Sequence, residues 1–382
     1  MNKLKLQAPV GTGDYLPDEC AEKRRLEQTL RETFQMSGYD EIETPSYEYY
    51  DVFMHDAVQY VQENIIKFFD ARGRILALRP DMTGPIARMA ATKLLEQKRA
   101  LRLCYVGNVY GFKSNEGRSE YTQAGVELIG KAGAEADAEV IALAIRALLA
   151  VGMENFKIDI GQVSFFKGLL METDITEEQA ERIRLLIDTK NSVELEYELS
   201  CMNVDREIIT TLLELTNLFG GVEVLDRAKA LAKNETCIQA VENLKEVYDM
   251  LCDFGYGQYL SIDFGLLNNF NYYSGILFRG IADGVGVPML SGGRYDELLR
   301  EFGSDAPATG FAIGIKELLV VLESQGMLKD ERQKVTVIKC RPQTRKRSYA
   351  YAQELRGAGK RVILDMNGAE YDAEYYDIIT FE

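Results

Sequence analysis

Leu101-Arg-Leu-Cys-Tyr-Val-Gly-Asn-Val-Tyr110 and Tyr121-Thr-Gln-Ala-Gly-Val-Glu-Leu-Ile129 decide the fold. Both runs are rich in strand-forming residues, and the polar loop Phe112 to Ser119 joins them, which predicts a long antiparallel pair. Working outward, Asp137 to Val151 is an Ala/Leu/Ile-rich helix, apolar nearly all round and hence buried. Phe156 to Ile160 reads as another strand. On the N-terminal side, Thr83 to Lys98 has helical spacing, and Pro80 ends a strand from Arg74 to Arg79. That strand pairs with Phe68 to Asp70 around Ala71-Arg72-Gly73. Tyr39 to Pro45 reads as a strand. Before it, a helix opens at Asp18, carries Leu26, Leu30 and Phe34 on one face, and stops at Gly38.

The character changes at Val163. From there to Gly255 nearly everything has helical spacing, with a capping box at Thr176-Glu-Glu-Gln179, so residues 163–255 read as a helical insertion. Strand signals return at Leu260–Asp263, Ser274–Arg279 and Val287–Gly293, and Phe311 to Glu323 reads as a helix. A charged linker, Lys329 to Lys334, leads to a short β-α-β unit. Its strands are Val335–Cys340, Arg361–Leu364 and Tyr376–Phe381, and its helix lies around Ser348 to Arg356. The predicted class is α+β: an antiparallel sheet flanked by helices, a helical insertion, and a small C-terminal α/β unit. The predicted domains are 1–325, a linker 326–334, and 335–382.

No apolar run approaches the ~18 residues that span a bilayer, and the first residues lack a signal-peptide core, so a cytoplasmic protein is expected. Six cysteines lie far apart, without a CxxC, and there is one histidine, His55. Metal ligands need short spacing, so no metal site is expected and the cysteines read as packed thiols. His55 reads as a surface residue. The formal net charge is −16. A polyanion draws affinity from lysines and arginines, so this balance argues against tRNA as the main partner.

Seven segments in order resemble class II aminoacyl-tRNA synthetases of the histidyl type. Gly11-x-Gly13-Asp14-Tyr15-Leu16-Pro17 is similar to that family's opening, and Gly38-Tyr39-x-x-Ile42-x-Thr44-Pro45 to motif 1, which implies a homodimer through this region. Leu78-Arg79-Pro80-Asp81-Met82-Thr83 resembles its Leu-Arg-Pro-Glu-Gly-Thr turn. Tyr105 to Tyr110 through Gln123-Ala-Gly-Val-Glu127 has the frame of motif 2. Phe270 to Gly275, Ser291-Gly-Gly-Arg-Tyr-Asp296 and Gly310-Phe-Ala-Ile-Gly314 resemble the histidine-specific segments and motif 3. The likeness covers about residues 5–325.

Three arginines of that pattern are missing. Gly111, Asn268 and Glu317 stand at their positions. Adenylation sets a carboxylate against a triphosphate and needs fixed positive charge in the transition state. Arginine supplies it as a planar, permanently charged fork, which glycine and asparagine lack and glutamate opposes. Losing one such donor costs on the order of 10² to 10³ in rate. Amino-acid activation is therefore not expected. The amino-acid side of the pocket is retained. The resemblance implies Asp81, Thr83 and Gln123 at the ammonium of a bound histidine, Glu127 and Tyr272 at its imidazole, and Tyr273 beside them. The chemistry suits: carboxylates pair with an ammonium or accept an imidazole N–H, and tyrosines add an apolar wall with hydroxyls.

A chain of this design resembles the regulatory subunits of short-form ATP phosphoribosyltransferase. The resemblance implies a non-catalytic subunit of the first step of histidine biosynthesis. It also implies assembly with a short catalytic subunit, free histidine as feedback inhibitor, no cofactor, no tRNA and no membrane. The alternatives are a histidine-binding synthetase paralogue with another partner, an active histidine–tRNA ligase, or the phosphoribosyltransferase catalytic chain itself. Blander roles also fit: Tyr272-Tyr273 as a strand packing pair, Gln123 and Glu127 facing solvent, Asp81 and Thr83 as helix caps. Ser291-Gly292-Gly293 is no phosphate loop, and its glycines read as allowing close backbone approach. Arg341, Arg345, Lys346 and Arg347 form a small basic run, read as a solvated helix start with a nucleotide or partner contact as the alternative.

Overall fold

The structure, a computed structural model, describes residues 6–54, 64–94, 99–111, 120–267, 272–283, 285–328, 334–373 and 376–381. His55, the loop 112–119, Asn268 and the linker residues 329–333 lie outside the described residues. The chain divides into two units, Met1–Met327 and Leu328–Glu382.

The first unit is built on a main sheet which, among the described residues, has nine strands. They are β1 (Asp40–Glu41), β5 (Leu101–Tyr110), β6 (Glu120–Ile129), β7 (Lys157–Gln162), β8 (Phe219–Gly220), β9 (Leu260–Asp263), β10 (Ile276–Ile281), β11 (Leu290–Arg294) and β12 (Ala308–Gly314), in the order β1-β5-β6-β12-β11-β10-β7-β9-β8. The run from β5 to β7 is antiparallel throughout, as predicted. The sheet as a whole is mixed, because β1 joins β5 and β9 joins β7 in parallel. A separate three-stranded antiparallel sheet holds β2 (Tyr47–Tyr49), β4 (Ile75–Leu78) and β3 (Lys67–Phe69), with the predicted turn at residues 71–73 between the last two.

Helix α1 (Pro17–Met36) buries Leu26, Leu30 and Phe34 at intervals of four, as its periodicity requires. Phe34 meets Phe311 edge-on, with ring centroids 5.8 Å apart, and so fixes α1 to the back of β12. Helix α2 (Thr83–Met89) continues as a π-helical stretch, Ala90–Leu94. Helix α3 (Ala134–Ala150) buries eleven of its seventeen residues, the nearly all-round burial its composition predicts. The insertion holds α4 (Val163–Leu170), α5 (Glu177–Asp188), α6 (Ser192–Ser200), α7 (Arg206–Glu214), α8 (Glu223–Leu231) and α9 (Glu235–Asp253). Thr176 and Gln179 form the predicted capping box, the Thr176 amide donating to Gln179 Oε1 at 2.9 Å.

Three local expectations need correction. Residues 311–314 are not helical: they complete β12, and α10 (Ile315–Ser324) begins only at Ile315. Gly310 and Phe311 lie between β6 and β11, and ladder pairing on both sides outweighs helix-like spacing. The strand expected from Tyr39 to Pro45 pairs over Asp40–Glu41 alone. The cysteines are not uniformly packed: Cys104 and Cys237 are buried, whereas Cys201 and Cys252 are exposed.

The second unit is a parallel sheet of β14 (Val362–Asp365), β13 (Val335–Lys339) and β15 (Tyr376–Thr380), in that order. Helix α11 (Arg345–Gly357) connects β13 to β14 and buries Ser348 and Ala352. Among the described residues no helix is long and apolar enough to cross a membrane.

Candidate functional site

One face of the main sheet carries the site. Because side chains alternate along a strand, Gln123, Gly125 and Glu127 of β6 share this face. Their partners on β12 are Gly314, Ala312 and Gly310, and on β5 Gly107, Tyr105 and Leu103. The glycines leave a trough. A Cβ on Gly310 would lie 1.9 Å from Glu127 Oε2, and one on Gly125 would lie 2.5 Å from the Tyr105 hydroxyl. A Cβ on Gly293 of β11 would meet the Tyr273 ring at 2.7 Å. Each position therefore admits only glycine without displacing a site residue, which is the close approach predicted for Gly292-Gly293.

Glu127 sits at the closed end of the trough, only 2% exposed. Its Oε1 accepts from the Thr83 hydroxyl at 2.9 Å, and its Oε2 accepts from the Tyr295 hydroxyl in a short hydrogen bond. Burial pushes this carboxyl up to about 8, against the two hydrogen bonds, which favour the charged form. Asp81 is raised to about 6 by burial, while the amides of Gly84 and Thr83 pull the other way. Its Oδ1 accepts from Gly84 N at 3.0 Å, so Asp81 does cap the first turn of α2. The cap and the ligand role are compatible, since Oδ2 is not engaged by that amide.

Tyrosines wall the pocket. Tyr272 stacks on Tyr295 with centroids 5.4 Å apart and meets Tyr273 edge-on at 4.9 Å. Burial, with the Glu127 charge adding to it, lifts the hydroxyls of Tyr272, Tyr273 and Tyr295 above their ordinary range, so all three are neutral donors. Thr83, Glu127, Tyr272 and Tyr273 thus converge, with Asp81 at the helix start beside them. Gln123 stands four residues along β6, lining a cleft of ≈ 170 Å³ with Tyr121, Ser291, Ala312, Gly314 and Glu317. Tyr105, Tyr295 and Gly310 stand in the motif segments of the sequence, which assign them no role of their own.

Of the three positions that lack arginine, two are described. Gly111 is buried at the end of β5, and a Cβ there would lie 3.3 Å from the Asn64 carbonyl. Glu317 lies in the first turn of α10, folded back so that a Cβ on Gly314 would lie 2.1 Å from its Oε2. The cleft beside Gln123 therefore ends in a carboxylate. Arg79 and Arg294, the cations closest in sequence to site residues, are committed elsewhere. Arg79 donates to the carbonyls of Thr44 and Asn108, both at 2.7 Å, and Arg294 pairs with Asp137 at 2.9 Å and Asp296 at 3.0 Å. Among the described residues no group of three or more His, Cys, Asp or Glu side chains could hold a metal ion.

The histidyl-tRNA synthetase family profile matches residues 11–318. An ATP phosphoribosyltransferase regulatory subunit from Acetivibrio thermocellus is 44% identical over 375 residues, which is 97% of this chain and 90% of that protein. The protein of the same name from Clostridium kluyveri is 43% identical over 92% of this chain and 91% of its own length. Among solved structures, one from Bacillus halodurans C, described as an ATP phosphoribosyltransferase regulatory subunit/histidyl-tRNA synthetase, superposes with a TM-score of 0.88 and 34% identity. It covers 98% of this chain and 97% of that one. Histidyl-tRNA synthetase from Nostoc sp. PCC 7120 shares the fold, with a TM-score of 0.81 at 24% identity over 95% of this chain and 86% of its own.

Proposed function

Since this chain belongs to the family of ATP phosphoribosyltransferase regulatory subunits, we propose that its synthetase-like pocket binds free histidine as the feedback signal of histidine biosynthesis. The chain is a regulatory, non-catalytic subunit. Its partner is a short-form ATP phosphoribosyltransferase catalytic subunit. Residues 1–325 form the synthetase-like core, 326–334 the linker and 335–382 the small unit, and two copies self-associate through the motif 1 region around Gly38–Pro45.

One observation carries the histidine reading: a buried carboxyl, Glu127, that already holds two donors and lies within a ring of neutral tyrosines. A carboxyl kept out of water gains most from a ligand that brings its own N–H or positive charge, as an imidazole and an ammonium do. Asp81, Thr83 and Gln123 take the ammonium side, and Glu127, Tyr272 and Tyr273 the imidazole side. The pocket supports holding the amino acid and opposes activating it. Gly111 offers no side chain, and Glu317 sets an anion where a triphosphate needs cations. Asn268, the third such position, adds no charge either. Inhibition then requires that histidine bind the two states of the assembled complex with different affinity.

The test is reconstitution. Purified chain is added to a short-form phosphoribosyltransferase, and turnover of ATP and phosphoribosyl pyrophosphate is followed with and without histidine. Turnover should rise on addition and fall with histidine, and the Glu127→Gln variant should keep the rise and lose the fall. Full histidine inhibition in that variant would remove the pocket from the assignment. ATP–pyrophosphate exchange by the isolated chain would overturn the non-adenylating reading.

A further inference from the structure

The segment that carries Tyr272 and Tyr273 is held from behind by the first helix of the insertion. The β7–β10 ladder ends with the pair Gln162 and Ile276. There β7 gives way to α4, and the carbonyls of residues 273–275 lie past the last rung. Backbone carbonyls turned away from water need donors. Helix α4 supplies one to each of the three. The Val163 amide donates to the Gly275 carbonyl at 3.1 Å, the Ser164 hydroxyl to that of Ser274 at 3.2 Å, and the Lys167 ammonium to that of Tyr273 at 2.9 Å.

The third donor is the costly one. Lys167 is half-buried, and burial pulls its ammonium below the ordinary range, with Glu297 acting the other way. This charge, partly withdrawn from water, is spent on the main chain of a residue whose ring lines the pocket. The opposite side of the segment is fixed as well. The Ser274 amide donates to the Arg294 carbonyl at 2.8 Å, and the Ser274 hydroxyl accepts from the Asp296 amide at 3.0 Å. Tyr272 stacks on Tyr295, and a Cβ on Gly293 would meet the Tyr273 ring at 2.7 Å. Residues 272–275 are thus gripped between residues 293–296 and α4.

Helix α4 is tied in turn to α9. Asn234 Nδ2 donates to the Gly168 carbonyl at 2.9 Å. The Gln162 side chain caps α4, accepting from the Ser164 amide at 3.1 Å, and donates to Asn243 Oδ1 at 2.8 Å. A Cβ on Gly168 would lie 2.9 Å from Cys237 Sγ, so nothing larger than glycine fits between the two helices without displacement. Contacts packed this closely transmit a displacement rather than absorb it.

We propose that Lys167 is a positioning residue of the histidine pocket, and that through it the helical insertion sets the affinity for histidine. The inference rests on histidine occupying this pocket. Lys167 acts through Tyr273: it fixes the main chain there, and with it the two rings on the imidazole side. By linkage the coupling runs both ways. Whatever moves α4 and α9 changes histidine binding, and bound histidine steadies α4.

Hydrogen exchange and calorimetry on the full chain test this, with Lys167→Met and Lys167→Arg beside the parent. Methionine keeps the apolar stem and removes the donor, whereas arginine keeps a charged donor. Without histidine, exchange over residues 272–281 should quicken in Lys167→Met and return toward the parent rate in Lys167→Arg. Exchange over β5 should stay at the parent rate in both, which separates a local effect from general loosening. Histidine affinity should fall about tenfold in Lys167→Met, as for a lost hydrogen bond to a charged group, and recover in Lys167→Arg. In the parent, saturating histidine should slow exchange across α4, a readout that needs no variant. Parent-like exchange over residues 272–281 in Lys167→Met overturns the positioning role. Faster exchange there with parent-like histidine affinity, or no protection of α4 by histidine in the parent, overturns the coupling to the pocket. A parent chain that binds no histidine overturns the pocket assignment and the proposal with it, and the ligand-free exchange then shows whether the grip of Lys167 on Tyr273 stands alone.

Discussion

The Thr83 hydroxyl donates to Glu127 Oε1 across 2.9 Å, tying the first turn of α2 to the middle of β6 at the floor of the pocket. Two sequence segments forty-four residues apart thus share one proton-sensitive contact. The pH behaviour of this contact follows from the burial of the Glu127 carboxyl, which outweighs the hydrogen bonds to it.

Glu127 is raised from its ordinary 4.5 to about 8, and Asp81 from 3.8 to about 6. The folded chain therefore holds these protons more tightly than the unfolded one. The stability they contribute is fully present below about pH 4 and is lost as pH rises through 6 and then 8. Glu127→Gln removes the larger part of this dependence. Thermal unfolding at pH 5, 7 and 9, without histidine, should move in favour of the variant as pH rises. A constant gap between variant and parent would show that Glu127 does not titrate in this range.

Tyr295→Phe deletes the second donor to Glu127 while keeping the stack on Tyr272. A hydrogen bond to a charged group is worth about 1.5–3 kcal/mol. The Glu127 carboxyl should titrate at higher pH in this variant, and histidine affinity at pH 7 should fall by roughly tenfold or more. Calorimetry across pH 6–9 reads both. Unchanged affinity with an unchanged pH profile would make Tyr295 a packing residue only.

Much of this was legible in sequence. The strand pair β5–β6, helix α1 and the insertion helices follow from period and punctuation, because each buries one regular face. The residues of the pocket were named from a resemblance, since Asp81 and Thr83, Gln123 and Glu127, and Tyr272 and Tyr273 come from three separate segments. Local pattern cannot bring these together. Residues 311–314 show the limit. Phe311, Ile313 and Ile315 alternate as a strand, yet the apolar spacing into Leu318 and Leu322 also fits a helix, and only the ladders to Gln123–Val126 and Leu290–Gly292 decide. Tyr295 was unreadable for a different reason: its partner lies 168 residues away.

Gly310→Ala should be severe. The added Cβ would lie 1.9 Å from Glu127 Oε2 and 2.4 Å from the Val126 carbonyl, and the backbone of a central strand cannot yield. Overpacking of this kind costs about 1–3 kcal/mol and often more. Denaturant unfolding should show a lower midpoint with an unchanged slope, together with loss of histidine binding. Parent-like stability would mean that the β6–β12 pairing is looser than these distances require.

Glu317→Arg tests whether one restored cation is enough for chemistry. The new guanidinium would reach the cleft lined by Gln123, Ser291 and Gly314, where the present carboxylate lies over Gly314. Phosphoryl chemistry depends on several fixed charges acting together, and each missing donor costs on the order of 10² to 10³ in rate. Gly111 still contributes nothing, and its neighbour, the Asn64 carbonyl, is itself an acceptor that repels phosphate. ATP–pyrophosphate exchange with histidine should therefore stay at background in the single variant. ATP binding should become measurable by calorimetry, because an anion has been exchanged for a cation at the start of α10. Exchange well above background would mean that the remaining pocket supplies cations beyond those described, and that this chain lies one substitution from activating its ligand.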